Sequence, residues 1–152
     1  MSMVSESARM SSAAEARFRL PAAASVARLV KVIALDPQSD DVLARLAEGP
    51  WSGVSFFPSS ALVDHPARVL EELTEGDLVV MVAAVGADAS AATRIDQACS
   101  DGRVHTATLV VSAASASDEA LSQTLAQVRP WSLMVVIVAD EDYVADILRS
   151  FR

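Results

Sequence analysis

Side chains that commonly carry catalytic chemistry are scarce in this sequence, which has one cysteine, two histidines and one lysine in 152 residues. With Cys99 alone, no disulfide can form within the chain, and we expect a reducing, cytoplasmic location. Cys99 lies with Ala92 and Ile95 on the apolar face of a predicted helix, which favours a buried structural thiol over a nucleophile. His65 and His105 have no further histidine or cysteine at metal-ligand spacing, which argues against zinc.

Long apolar runs are also missing, although the sequence is 52% hydrophobic and has a mean hydropathy of +0.34. No stretch reaches the roughly 18 consecutive apolar residues that a membrane-spanning helix needs, so we expect no membrane span. The excess of apolar residues is typical of a sheet covered on both faces and favours a subunit interface. The expected partner is therefore another protein, or a second copy of the chain in a homo-oligomer.

Positive charge is sparse, because 12 basic residues stand against 20 acidic ones and the formal net charge is −8. This balance argues against a nucleic-acid partner, which would require a basic surface. Residues 1–31 carry five basic and two acidic residues, a net of +3, and the remainder carries a net of −11. We interpret residues 1–25 as a basic, Ser/Ala-rich N-terminal arm, either solvated or docked, and residues 26–152 as one domain.

Glycine is scarce as well, with five in the chain, and one of them follows the longest buried-type segment. Leu78–Val85 is an unbroken apolar run, too short for a membrane and bounded by turn signals, which predicts a central parallel strand buried on both faces. Ligands of open parallel sheets bind at the carboxyl ends of the strands. The turn Gly86–Ser90 is therefore where we expect any ligand to bind.

Strand-like and helix-like segments alternate along the rest of the chain. Besides the central run, the predicted strands are Leu29–Leu35, Gly53–Phe57, Val104–Val111 and Ser132–Val138, with a short edge strand at Ala16–Leu20. Each core strand is followed by a helical pattern. The alternation predicts an α/β fold, a three-layer Rossmann-like domain with about five parallel strands in the order 2-1-3-4-5 and helices on both faces.

Three blocks spread over residues 29–148 carry a shared pattern. They are Lys31-Val32-Ile33 with Arg45 and Gly53-Val54-Ser55-Phe56, then Asp77-Leu78-Val79 with Ala83, Gly86 and Ala107–Val111, and finally Val128–Val144. In order and spacing, these blocks resemble segments of the tubulin-like bacterial cell-division GTPases of the FtsZ kind. The resemblance implies a nucleotide-binding α/β fold and a link to the assembly or regulation of a filament-forming relative.

The loops that would hold the nucleotide depart from that family. After the first strand, the glycine-rich loop is replaced by Asp36–Asp41, in which a proline removes one amide and three carboxylates would repel a phosphate. The family's G-G-G-T-G-T-G loop corresponds to Gly86–Ala92, where Asp88 adds a charge; two like charges about 4 Å apart repel by ~1 kcal/mol in water. Between Phe57 and Asp77 we expect one helix, where the family has more. GTP hydrolysis is therefore not expected, and neither is a cofactor.

Response-regulator receiver domains are an alternative with a similar topology. Asp36 and Asp40-Asp41 could correspond to their acidic pair, and Ser112 to their fourth-strand hydroxyl. Their phosphoacceptor aspartate, however, corresponds to Val82 or Ala83, and the chain has no lysine outside its first strand. These departures exclude a working receiver and leave a pseudo-receiver open.

The candidate ligand-contacting residues lie where predicted strands end. They are Asp36, Ser39, Gly86, Asp88, Ser90, Ser112 and Asp140. Asp36, Asp88 and Asp140 could together hold Mg²⁺ or Ca²⁺, but acids and serines that begin helices more commonly cap free amides. We therefore predict no metal ligand, and we predict no catalytic residue because Ser112 lacks a base.

The sequence as a whole predicts a non-catalytic, cytoplasmic, FtsZ-like domain that acts through protein–protein interaction or self-association. The alternative is a module that binds a small ligand or a divalent metal in an acidic crevice formed by Asp36, Asp88, Ser90 and Ser112.

Overall fold

The computed structural model describes residues 28–112 and 116–151. The proposed N-terminal arm, residues 1–25, and the predicted edge strand Ala16–Leu20 lie outside the described residues.

Five parallel strands form a single sheet, which confirms the predicted α/β fold. The strands are β1 (Val30–Ala34), β2 (Val54–Phe57), β3 (Leu78–Ala84), β4 (His105–Val111) and β5 (Met134–Val138). Their order in the sheet is β2-β1-β3-β4-β5, as the alternating pattern predicted. The apolar run is the middle strand, β3, and its first six residues are buried. It pairs with β1 on one side and with β4 on the other.

Six α-helices surround the sheet in the described residues. They are α1 (Pro37–Ala47), α2 (Ser59–Asp64), α3 (Pro66–Thr74), α4 (Ala92–Asp101), α5 (Asp118–Val128) and α6 (Glu141–Ser150). A short 3-10 helix, Arg129–Trp131, joins α5 to β5. Predicted and observed boundaries of the core strands agree to within one or two residues.

Two apolar layers hold the helices on the sheet, one on each face. Successive side chains of a strand point to opposite faces, so Val79 and Met81 of β3 lie in one layer and Val80 and Val82 in the other. The first layer holds apolar residues of α2, α3, α4 and α5. The second layer holds residues of α1 and α6. The domain is therefore three-layered, with unequal cover on its two faces.

The expectation of one helix between Phe57 and Asp77 is wrong, because α2 and α3 both lie there. Pro58 precedes α2 and provides no side-chain cap. The carboxyl of Asp40 caps α2 instead, accepting hydrogen bonds from the Ser59 backbone N–H at 2.6 Å and from the Ser59 hydroxyl at 2.8 Å. An isolated six-residue helix has marginal stability in water, so α2 depends on its cap. The capping residue, Asp40, lies 19 residues before Ser59 in the sequence.

Within the described ranges, every helix is too short or too polar to cross a lipid bilayer.

Candidate functional site

The carboxyl end of the sheet collects the predicted ligand-contacting residues from four strands. Asp36 follows β1, Gly86–Ser90 follow β3, Ser112 follows β4 and Asp140 follows β5. The strands are parallel, so these segments lie along one edge of the sheet, where this class of fold binds ligands.

Asp36 is engaged with the protein itself. Its side chain is 2% exposed, and one carboxyl oxygen accepts a hydrogen bond from the Ser39 backbone N–H at 2.8 Å, which caps α1. The other oxygen accepts from the Ala84 backbone N–H at 2.9 Å, at the end of β3. Asp36 thus fixes the first turn of α1 to the central strand, and the carboxyl occupies the helix N-terminus at which a phosphate would otherwise bind.

Ser39 is buried in the first turn of α1, with an exposed fraction of 1%. Its backbone N–H is used by Asp36, and its hydroxyl has no hydrogen-bond partner within the described part of the chain. It is therefore held as part of the Asp36 cap rather than presented to solvent.

The turn after β3 uses its backbone N–H groups internally. Gly86, at a φ of +88° that favours glycine, donates to the Thr124 hydroxyl at 2.9 Å. Ala89 donates to the Gln127 side-chain oxygen at 3.0 Å. Ala87 and Ala92 donate to carbonyl groups of the same segment. A phosphate-binding loop presents such N–H groups to its ligand, whereas here α5 and the turn itself receive them.

Asp88 and Ser90 form a local bond at the tip of this turn. The Ser90 backbone N–H donates to the Asp88 carboxyl at 2.9 Å. Both side chains are exposed. Hydrogen bonds from Ser90, first from its backbone and then from its side chain, lower the pKa of Asp88. The tip of the turn therefore favours a negative charge, which disfavours an anionic ligand.

Ser112 and Asp140 complete this edge of the sheet. The Ser112 backbone N–H donates to the Val138 carbonyl at 2.8 Å, which joins the ends of β4 and β5. Asp140 caps α6 and accepts from the Asp142 backbone N–H at 2.6 Å. Capping by Asp36 and Asp140 confirms the interpretation of these acids as helix caps. In residues 28–112 and 116–151, no three acidic, histidine or cysteine side chains lie close enough to share a metal ion.

Sequence reasoning missed Thr124 and Gln127, the two side chains that close the turn. Both lie on α5, three residues apart, and therefore on neighbouring positions of one helical face. Thr124 is 1% exposed and also donates to the Ala120 carbonyl. The available signal was a hydroxyl residue within the apolar stripe of Leu121, Leu125 and Val128, because a polar side chain in a buried position needs a partner.

A groove of about 890 Å³ lies between α1 and α6, the two helices that pack on the second face of the sheet. Arg45 spans it with two hydrogen bonds to Glu141, at 2.7 and 2.8 Å. The bond to Glu141 raises the pKa of Arg45. The lining also includes Asp140, Asp142 and Asp146, and Arg149, whose guanidinium lies 5.2 Å from the centre of the Trp51 ring. The groove is polar and open, and a solvent-exposed ion pair of this kind stabilises a fold only weakly.

Cys99 is buried, as predicted, with no exposed surface. Burial, helped by the charge of Asp96, raises the pKa of its thiol to about 12. The thiol therefore stays protonated at neutral pH, and only the thiolate is nucleophilic.

Comparison with known proteins adds no family to this description, since the sequence matches no protein-family model and no curated protein.

Proposed function

We propose that this protein is a non-catalytic α/β domain that acts through contacts with other protein chains, its own copies included. We further propose that it derives from the nucleotide-binding domain of an FtsZ/tubulin-like GTPase that has lost its phosphate-binding loops. The blocks at Lys31–Ile33, Gly53–Phe56 and Asp77–Gly86 support that origin, and the Rossmann-like sheet is compatible with it. A cytoplasmic location is part of the proposal and is supported by the single cysteine, Cys99, with which no disulfide can form within the chain.

One observation carries the non-catalytic proposal. The backbone N–H groups of Gly86 and Ala89 are bonded to Thr124 and Gln127 of α5. A ligand could reach these groups only by breaking bonds within the fold and moving α5 away from the turn. Buried or half-buried N–H groups that lose a partner destabilise a fold by about 1–3 kcal/mol each. The fold therefore resists phosphate binding at this turn.

The first helix points to the same conclusion. A phosphate at the N-terminus of α1 would have to displace Asp36, which holds Ser39 and Ala84 at once. It would also approach Asp40, whose carboxyl holds the beginning of α2. At both phosphate positions of a nucleotide-binding sheet, side chains of the chain itself therefore accept hydrogen bonds from backbone N–H groups.

Thermal unfolding of the full chain with GTP, GDP, ATP, Mg²⁺ or Ca²⁺ tests this proposal. A ligand at 100 times its dissociation constant would stabilise the folded state by about 2.7 kcal/mol and raise the Tm by several degrees. We expect an unchanged Tm with every compound. A nucleotide-dependent rise would contradict the proposal and restore a GTPase-like function, and a rise with metal alone would favour the acidic-crevice alternative.

A further inference from the structure

The outer edge of β5 is apolar and exposed. β5 is the terminal strand of the sheet, and no strand of the described residues pairs with its outer side. Leu133 is 72% exposed, Met134 43% and Ile137 47%. An edge strand carries a row of N–H and C=O groups without a ladder partner, and a long apolar edge is a template for another strand.

Two of the usual protections of an edge strand, charge and proline, are missing from this segment. Residues 132–139 contain no charged residue and no proline. Lysine, proline and bulges are the devices that keep edge strands of soluble proteins from pairing. Because these eight residues are uncharged, two copies of a chain with a net charge of −8 can approach along β5 without placing like charges in contact.

We infer that β5 pairs with β5 of a second copy in an antiparallel, two-fold arrangement, so that the two sheets join into one sheet of ten strands. The second copy is the partner of the contact proposed under the function above, so the inference rests on that proposal and makes it specific.

The register follows from the pairing of β5 with β4. Ser112 donates to the Val138 carbonyl, so the backbone groups of Val138 point toward β4. Backbone groups alternate in direction along a strand, which leaves those of Val135 and Ile137 pointing outward. When Val135 pairs antiparallel with Ile137 of the second copy, the N–H and C=O groups of both residues form hydrogen bonds across the joint. The two-fold axis generates a second, identical pair. Val136 then lies on the two-fold axis and faces its own counterpart.

The charges at the two ends of β5 suit this arrangement. Arg129 is exposed just before the strand, and Asp140, Glu141 and Asp142 follow it. An antiparallel neighbour brings the basic end of one copy beside the acidic end of the other. Complementary charges of this kind favour one orientation over its alternatives. A two-fold contact is also isologous, so the strand needs to be complementary only to itself.

Sedimentation equilibrium of the full chain over a range of concentrations tests the inference. We expect a monomer–dimer equilibrium, and we expect Ile137→Lys to raise the dimer dissociation constant at least about tenfold, because it places a charge in the apolar strand pair. Val63→Lys is the matched control: Val63 is 77% exposed on α2 and outside the edge, so the dissociation constant should not change. Circular dichroism checks that both variants keep their fold.

A cysteine on the axis tests the register directly. Val136→Cys places two thiols in a directly opposed, non-hydrogen-bonded pair with Cα atoms about 4.5 Å apart, within the range of about 4.4–6.8 Å that a disulfide spans. Mild oxidation should link this variant into covalent dimers. Ser55→Cys, on the opposite edge strand, should stay monomeric under the same conditions, and the buried Cys99 is common to both.

Three results would overturn the inference. They are a full chain that remains monomeric at every concentration, a dimer that Ile137→Lys leaves unchanged, and a monomer that dimerises only when residues 1–27 are removed, which would make that segment the occupant of the edge. None of these results bears on the nucleotide panel, since a monomeric chain with an unchanged Tm would still be a non-catalytic domain and would require a different protein partner.

Discussion

The carboxyl end of the sheet and the β5 edge differ in whether their backbone hydrogen-bonding groups have partners. At the carboxyl end, backbone N–H groups of α1, β3 and the following turn are bonded to side chains of the chain itself. At the β5 edge, outward backbone groups have no strand partner within the described ranges, and the side chains around them are apolar and exposed. At the carboxyl end, where this class of fold binds ligands, these backbone groups are occupied within the fold. At the β5 edge, a position that proteins usually protect, they are left without a strand partner in the described residues.

The difference also appears in how the acidic residues are used. An active site in this class of fold needs polar groups that wait for a substrate at the strand ends. Three acids at this end of the sheet instead cap helices: Asp36 caps α1, Asp40 caps α2 and Asp140 caps α6. On the function proposed above, binding would fall to surfaces such as the β5 edge.

The largest effect should come from Asp36→Ala. Loss of the carboxyl leaves Ser39 and Ala84 without acceptors in a buried region, so we expect the free energy of unfolding to fall by about 3 kcal/mol. Asp140→Ala is the matched control, because Asp140 caps α6 without a bond to the sheet, and it should cost about 1 kcal/mol. Urea unfolding measures both. Equal losses would show that the link from α1 to β3 contributes nothing.

Thr124→Val should open the turn at moderate cost. The substitution keeps the shape of the side chain and leaves the Gly86 N–H without a partner, which we expect to reduce stability by about 1–2 kcal/mol. Thr74→Val makes the same change where the hydroxyl donates only to the Glu71 carbonyl of its own helix, and its effect should lie within about 0.5 kcal/mol. If the two variants have equal stability, α5 does not hold the turn closed.

Asp40→Ala should act on α2 alone. Without its cap, a six-residue helix should lose about 1 kcal/mol of local stability, seen as faster amide hydrogen exchange in Ser59–Asp64. Asp41→Ala, at the adjacent exposed position of α1, should leave exchange in α2 unchanged. Equal acceleration by both variants would mean that general acidity, rather than the Asp40 bond, stabilises α2.

The smallest effect should come from Asp88→Asn, and it should depend on pH. Because the pKa of Asp88 is lowered in the folded state, its contribution is present above the ordinary pKa of an aspartate and is lost as the pH falls through the folded value. Unfolding at pH 7 should show a slight loss of stability in Asp88→Asn, and the two proteins should converge in strong acid. A constant difference across the whole range would contradict the role of the charge.

Local patterns were sufficient to predict the sheet. The apolar runs, such as Leu78–Val85 and Ser132–Val138, and the turn signals between them predict five parallel strands. The helix caps could be predicted as well, since Asp36 and Asp140 directly precede in sequence the helices that they cap. In both cases the signal is local: each strand is marked by its own apolar run, and each cap by an acid at the start of its helix.

Contacts between distant residues could not be predicted in the same way. Gly86 and Thr124 are 38 residues apart, and Arg45 and Glu141 are 96 apart. Nothing in the local pattern of α5 says which backbone group its buried hydroxyl meets. The short helix α2 was missed for the same reason, because Asp40 lies outside it. The exposure of β5 depends on which helices cover each face, which is a property of the packed domain.

Hydrogen exchange of the turn amides, followed by NMR on the full chain, tests the central claim most directly. If the carboxyl end is closed from within, the N–H groups of Gly86 and Ala89 should exchange far more slowly than those of an unstructured peptide, and Thr124→Val should accelerate Gly86 more than Ala89. Exchange of both groups at the unstructured rate in the unmodified protein would contradict the account, because the turn would then present free amides to a ligand.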